Sequence, residues 1–186
     1  MKKSSHMIIR DEACLVVVDV QEKLFPYVEN REEIKKKIIK LIKTSKLFSI
    51  PILVSEHYPK GLGRTIDEIL KEIETVPKIE KVTFSCGGSE DFNEKLSSIG
   101  KKKIILCGIE THICVAQTVF DMLENGYKIF VAADAVSSRK SLDHNLGVER
   151  MREAGAVITT TEAVMYELME EAAIPLFKEF LKLVKD

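Results

Sequence analysis

Two side chains that can do covalent chemistry lie beside predicted elements of secondary structure. Asp19 is the one charged residue in the apolar run ACLVVVDV (13–20), and Cys114 lies within LCGIETHICVAQT (106–118). A carboxylate can take the proton of a thiol, and the resulting thiolate is a nucleophile. Cys114 belongs to the first turn of a helix predicted over 111–125, where the helix dipole and free backbone amides favour a thiolate. These residues predict covalent catalysis with Asp19 as base and Cys114 as nucleophile.

Each residue also has a purely structural interpretation. An aspartate that ends a parallel strand often caps the following turn, and cysteine often serves as a small apolar core residue. Cys14 and Cys107 lie inside predicted strands, so that second interpretation suits them, and we extend it to Cys86. For Asp19 and Cys114, position alone leaves both interpretations open.

Alternating strands and helices should bring these two residues together. The run ACLVVVDV is typical of a strand buried on both faces, and REEIKKKIIKLIKTSKLF (31–48) repeats isoleucine at helical spacing. The alternation continues along the chain and predicts one domain over 1–186, a doubly wound α/β fold with a parallel six-stranded sheet and helices on both faces. In a 3-2-1-4-5-6 strand order, strands 1 and 4 are neighbours, and ligands bind beyond their carboxyl ends. Asp19 ends strand 1 and Cys114 follows strand 4.

The two ends of the chain are expected to differ in structure. Residues 1–11 are predicted to be a loose leader, and 174–186 a C-terminal helix. This helix carries an apolar stripe that a single core would not fully use: Leu176, Phe177, Phe180, Leu181 and Val184. Such a stripe often packs on a second subunit, so it predicts a homo-oligomer.

Composition excludes several classes of partner. The 186 residues are 45% hydrophobic and carry a formal net charge of −1, which argues against a nucleic-acid surface. No apolar run reaches the roughly 18 residues of a membrane span. The four cysteines have no C-x-x-C spacing, which argues against a disulfide framework or a zinc site and favours a reducing cytoplasm. No glycine follows the first strand in VDVQEKLF, so a nucleotide-binding Rossmann domain is disfavoured.

Three motifs in order give the chain a specific resemblance. VVVDVQ, EKVTFS and GIETHICVAQT resemble those of the isochorismatase-like cysteine hydrolases, and YPKGLG is similar to the subgroup of isochorismatase domain-containing proteins and related amidohydrolases. The resemblance runs from about Ala13 to about Leu168 and includes DAVSSR (134–139) and RMREAGAVITTTEAV (150–164).

The resemblance implies a site and a reaction. The family's catalytic triad carries over to Asp19, Lys81 and Cys114, and its oxyanion hole to the backbone amides of Glu110 and Cys114. The family's non-proline cis peptide would be Ile109–Glu110. Members that keep the cysteine cleave C–N bonds through a thioester, so the resemblance implies hydrolysis of a small-molecule amide.

The resemblance also bears on metals. Nicotinamidases of this family bind a metal through an Asp-x-His pair and a further histidine. Here Ser55 replaces the aspartate, His57 is present, and no second histidine follows before His112. Zinc takes three protein ligands even at catalytic sites, so we expect neither a metal nor another cofactor.

The substrate pocket is less defined in the sequence. His112 is two positions from Cys114, where helical side chains diverge, so it is expected to contact substrate at most. Five residues are candidates for the pocket: Phe25, His57, Tyr58, Phe84 and His112. Their side chains suggest that the substrate has a small planar or apolar acyl group. A non-catalytic or redox-sensing protein of the same fold, with Cys114 as sensor thiol, stays open as an alternative.

Overall fold

The centre of the protein is a sheet of six parallel strands. The structure is a computed structural model that describes residues 4–185. Its strands are β1 (Ala13–Val18), β2 (Ile52–His57), β3 (Lys78–Lys81), β4 (Lys103–Ile109), β5 (Lys128–Ser137) and β6 (Val157–Thr159). They lie in the order β3-β2-β1-β4-β5-β6, and each neighbouring pair is parallel. This confirms the doubly wound fold and makes β1 and β4 neighbours at the centre.

Helices cover both faces of the sheet. They are α1 (Arg31–Leu47), α2 (Pro59–Leu62), α3 (Asp67–Leu70), α4 (Glu90–Ile99), α5 (Ala116–Glu124), α6 (Ser141–Glu153), α7 (Thr161–Met169) and α8 (Phe177–Lys185). One face packs against α1, α3, α7 and α8, and the other against α4, α5 and α6. Short 3-10 turns lie at Arg10–Glu12, Phe25–Tyr27 and Cys86–Gly88.

Strand β1 is buried on both faces, as its β-branched sequence indicates. Leu15 and Val17 join the core under α1 and α7, whereas Val16 and Val18 join the core under α4 and α5. Successive side chains in a strand point to opposite faces, and full burial of a valine or leucine contributes about 1.5–3 kcal/mol. The site residues therefore follow strands that are held firmly on two sides.

The amino-terminal segment corrects one expectation. Ile8 is 1% exposed, and its amide donates to the Glu167 carboxylate at 2.6 Å. The Arg10 guanidinium donates to the Leu168 carbonyl and lies 4.4 Å from the centre of the Phe48 ring. The prediction of a loose leader over 1–11 is therefore wrong for residues 8–10, because Ile8 is buried in the core and both Ile8 and Arg10 are hydrogen-bonded to α7. Residues 1–3 lie outside the described part of the chain.

The C-terminal helix also differs from its prediction. It begins at Phe177 rather than 174, and residue 186 lies outside the described range. Phe180 is fully buried, with ring centres 5.1 Å from Tyr166 and 6.3 Å from Phe48. The rest of the stripe packs half-buried on the same core: Leu176, Phe177, Leu181 and Val184. Because the stripe is used within its own chain, it does not support an oligomer. Among residues 4–185, none of the helices has the length and apolar character to cross a membrane.

Candidate active site

Asp19 and Lys81 form a buried ion pair at the carboxyl ends of the strands. Asp19 follows β1 with φ 51°, a left-handed conformation that aspartate tolerates better than most residues. Lys81 ends β3, two strands away, and its long side chain places Nζ 2.7 Å from Asp19 Oδ2. Both side chains have zero exposure. The ammonium also donates to the carbonyls of Thr83 (3.1 Å) and Phe84 (2.8 Å), so its three protons all have acceptors.

The second carboxylate oxygen of Asp19 accepts a hydrogen bond from a residue of β2. Ser55 lies opposite Val18 in the strand register, and its hydroxyl donates to Asp19 Oδ1 at 2.7 Å. The Cys86 thiol donates in turn to the Ser55 hydroxyl at 3.4 Å. Sequence reasoning noticed Ser55 only as a missing metal ligand. A polar residue near the carboxyl end of a buried strand next to β1 was the available signal for this contact.

Cys114 lies on a wider turn than expected. Thr111–Val115 is π-helical, with the Val115 amide donating to the Glu110 carbonyl at 3.2 Å, and the α-helix begins only at Ala116. Such π turns occur frequently at functional sites. The predicted α-helix over 111–125 is therefore wrong in its first turn, although Cys114 does follow β4 closely.

The backbone before Cys114 has two unusual features. The peptide bond Ile109–Glu110 is cis. Gly108 has φ 122°, and a Cβ there would lie 2.1 Å from the Val18 carbonyl oxygen. Only glycine fits where β4 comes this close to β1, so Gly108 allows the chain after β4 to reach Asp19.

Electrostatics hold Cys114 as a thiol at rest. Burial raises the pKa of Cys114 above its ordinary value, the Asp19 charge and its hydrogen bonding raise it further, and Lys81 acts in the opposite direction. This differs from the expectation that the helix start favours a thiolate, because Cys114 is only 5% exposed and burial disfavours the charged form. An attacking thiolate would have to form as its proton is taken.

The other three cysteines are buried thiols as well. Burial raises the pKa of Cys14 to about 12 and that of Cys86 to about 11, and it raises the pKa of Cys107. Their exposure is zero, whereas Cys114 borders a cavity. Access therefore separates Cys114 from the rest.

The cavity at Cys114 is small and largely apolar. It has a volume of about 130 Å³ and is lined by Leu24, His57, Leu62, Phe84, Glu110, Ile113 and Cys114. The His57 ring lies 5.0 Å from the Phe84 ring, and His57 Nδ1 is buried without a hydrogen-bond partner among residues 4–185. Sequence reasoning missed Leu24, Leu62 and Ile113, because these ordinary apolar residues reach the cavity only through the tertiary arrangement of the segments that carry them.

Three predicted pocket residues lie elsewhere. Phe25 is 7% exposed and belongs to the core beside α1. Tyr58 borders a separate cavity of about 380 Å³ beside β3 that does not include Cys114. His112 Nδ1 is 2.9 Å from the Ser138 hydroxyl, since its side chain diverges from that of Cys114. The cavity at Tyr58 borders Lys81 but not Cys114, so the smaller cavity is assigned to the site on chemical grounds.

Gln21 organises one wall of the small cavity. Its buried amide donates to the carbonyls of His57 (3.0 Å) and Gly63 (2.6 Å) and accepts from the His57 amide (2.7 Å). Two residues beyond Asp19, it therefore ties the end of β2 to Gly63, which directly follows Leu62 at the end of α2. Sequence reasoning did not single it out.

The side chains around the site do not form a metal-binding group. Ser55 is engaged with Asp19, and within residues 4–185 no three His, Cys, Asp or Glu side chains cluster in a way that could hold a metal ion. The expectation of a reaction without metal stays a prediction.

Comparisons with known proteins identify the family and the fold. Residues 13–163 match the isochorismatase domain. Isochorismatase family protein 1B of Dictyostelium discoideum is 35% identical over 189 residues, which cover 100% of this chain and 92% of that protein. A solved structure described as the MAR1 ribonuclease of Caenorhabditis elegans is 36% identical, with a TM-score of 0.91, covering 97% of this chain and 93% of the other. The YcaC protein of Pseudomonas aeruginosa, 23% identical, has the same fold with a TM-score of 0.88 over 99% of this chain and 98% of its own.

Proposed function

Because the chain belongs to the isochorismatase family, we propose that it is a cysteine hydrolase that cleaves the C–N bond of a small amide. The observation that carries the proposal is the fully buried pair of Asp19 and Lys81, 2.7 Å apart, next to Cys114. A buried base, a compensating cation and an accessible thiol are the parts that covalent amide hydrolysis needs. The substrate is a small molecule, as the 130 Å³ cavity favours.

Acylation begins from the neutral thiol. Asp19 takes the Cys114 proton as the sulfur attacks the carbonyl carbon, so a C–S bond forms and the C=O electron pair moves to oxygen. The backbone amides of Glu110 and Cys114 are proposed to donate to that oxyanion. Since desolvation disfavours a free thiolate, proton transfer and attack are coupled.

The intermediate then collapses and is hydrolysed. The C–N bond breaks, the leaving nitrogen takes the proton held on Asp19, and an acyl thioester remains on Cys114. Asp19 next takes a proton from water, whose oxygen attacks the thioester. The carboxylic acid departs, and the sulfur recovers its proton.

Lys81 and Ser55 act through Asp19 rather than on the substrate. Their hydrogen bonds occupy one carboxylate oxygen each, at 2.7 Å, and keep Asp19 in one orientation. Lys81 also supplies the positive charge without which Asp19 would be an uncompensated buried anion.

Trapping the intermediate tests the proposal. The protein is exposed to a panel of small amides, and intact-mass and peptide mass spectrometry locate any acyl group. We expect an adduct on Cys114 that Cys114→Ser and Asp19→Asn both lose and that the control Cys107→Ala keeps. RNA is included because one relative is described as a ribonuclease. RNA cleavage that depends on Cys114, with no acyl adduct from any amide, would overturn the proposal.

The redox-sensing alternative makes a different prediction. A sensor thiol needs a thiolate but no base, so Asp19→Asn would leave alkylation of Cys114 by iodoacetamide fast. The raised pKa of Cys114 argues against a standing thiolate. In the proposed hydrolase Asp19 takes the thiol proton as the sulfur attacks, so we expect alkylation to slow in Asp19→Asn, even though loss of the Asp19 charge lowers the pKa of Cys114.

A further inference from the structure

One charged residue forms part of the wall of the small cavity. Glu110 is 5% exposed and lines the cavity together with Cys114. Its Oε2 accepts two hydrogen bonds of 3.0 Å from Arg139, one from the backbone amide and one from Nε. These bonds fix the carboxylate of a lining residue just after the end of β4, four positions before Cys114 in sequence.

The cations near the cavity are already engaged. Lys81 donates to Asp19 and to two carbonyls. The Arg139 side chain is 58% exposed and does not line the cavity, so water screens its charge more than that of Glu110. Arg64 is bound on the surface by Glu22 and Asp67. Among the described residues, none of these positive charges is left to receive an anion in the cavity.

The remaining lining is uncharged and compact. Leu24, Leu62, Phe84 and Ile113 supply apolar surface. A cavity of about 150 Å³ can hold a benzene ring, so about 130 Å³ accepts an acyl group of about that size or smaller. A carboxylate there would lose its hydration and face Glu110, and among the described lining side chains only His57 Nδ1 is left to donate to it.

We infer that Glu110 makes this site selective for small uncharged acyl groups and excludes acyl groups that carry a carboxylate. Where the inference concerns turnover, it rests on the proposed amide hydrolysis. The charge selection itself belongs to the cavity and can be measured without any turnover.

Two alkylating reagents of nearly equal size test the selection directly. Iodoacetamide is neutral and iodoacetate is an anion; with each, a C–S bond forms on Cys114 and iodide leaves. The rate ratio of iodoacetate to iodoacetamide at Cys114 is divided by the same ratio for N-acetylcysteine. We expect this normalised ratio to be at least tenfold below one in the wild-type protein. Comparing reagents within one variant cancels changes in thiol reactivity.

Two variants should move this ratio in opposite directions. Glu110→Gln keeps an acceptor for Arg139 but removes the charge, and should raise the ratio at least fivefold. Arg139→Gln removes the compensating cation and should lower the ratio. Glu124→Gln removes one exposed negative charge from α5 and should leave the ratio unchanged. If Glu110→Gln does not fold, Arg139→Gln decides the test alone.

The outcomes separate this inference from the proposed function. A wild-type ratio near one, or a ratio that neither variant shifts, would overturn the charge selection even if amides are hydrolysed. Preference for butyramide over succinamate, lost in Glu110→Gln, would support both ideas. If neither amide forms an acyl-enzyme but the alkylation ratios behave as expected, the hydrolase proposal fails and the charge selection holds.

Discussion

Replacing Lys81 by methionine tests the buried pair on which the proposed mechanism depends. Methionine keeps the apolar stem but removes the charge, which lies 2.7 Å from Asp19 Oδ2 with no exposure on either side. At that distance and an effective dielectric constant of about 20, the attraction is roughly 6 kcal/mol. Removing one partner of such a pair usually costs about 3–5 kcal/mol, because the other charge stays buried alone. The structure thus predicts a marked loss of stability.

The same substitution should change the reactivity of Cys114. Lys81 lowers the pKa of the Cys114 thiol, and Asp19 raises it. Without the cation, the midpoint of the pH profile of Cys114 alkylation should move upward by at least about one unit, or about 1.4 kcal/mol. Turnover of any amide substrate should collapse as well.

Two further variants separate the charge effect from misfolding. Asp19→Asn combined with Lys81→Met removes both charges and should recover most of the stability, as measured by urea unfolding, without recovering activity. Lys78 donates to the Ile73 carbonyl at 3.1 Å, away from Asp19, and Lys78→Met should change neither the pH profile nor turnover. If Lys81→Met behaves like Lys78→Met in both assays, Lys81 does not belong to a catalytic triad.

Four further outcomes are expected. Competitive labelling should modify Cys114 before the other three cysteines, because they have no exposure; faster labelling of any of these would contradict the assignment. Activity should survive chelation and dialysis, since Ser55 is engaged with Asp19, and a loss reversed only by zinc or iron would refute this. Burial raises the pKa of Cys107, so the protonated thiol stabilises the folded protein fully below about pH 9 and less as the pH rises. Between about pH 9 and 11, the unfolding free energy of the wild type should therefore fall relative to that of Cys107→Val by about 1.4 kcal/mol per pH unit. Light scattering at micromolar concentration should detect a homo-oligomer, because Leu142 and Leu146 of α6 are exposed apolar residues, whereas α8 packs within its own chain. The mass of a monomer in this measurement would refute the prediction.

The sequence by itself determined the fold and two of the three proposed catalytic positions. β-Branched runs that alternate with helical repeats predict a parallel sheet covered by helices on both faces. The strand order of this sheet places the ends of β1 and β4 side by side. Asp19 and Cys114 could be selected from this rule because each lies close to the end of its strand. Lys81 depended on the family resemblance, since a lysine at the edge of a short strand has no distinctive pattern of its own.

Only the tertiary structure decided how these groups behave. Three hydrogen bonds join residues more than thirty positions apart in sequence: Lys81 to Asp19, Ser55 to Asp19, and the His57 amide to Gln21. Such contacts depend on register and loop closure, which local periodicity does not encode. The protonation of Cys114 differs from the expectation for a related reason. The helix start is visible in the sequence, but desolvation depends on everything that packs around the sulfur, and burial is the main cause of the raised pKa of Cys114.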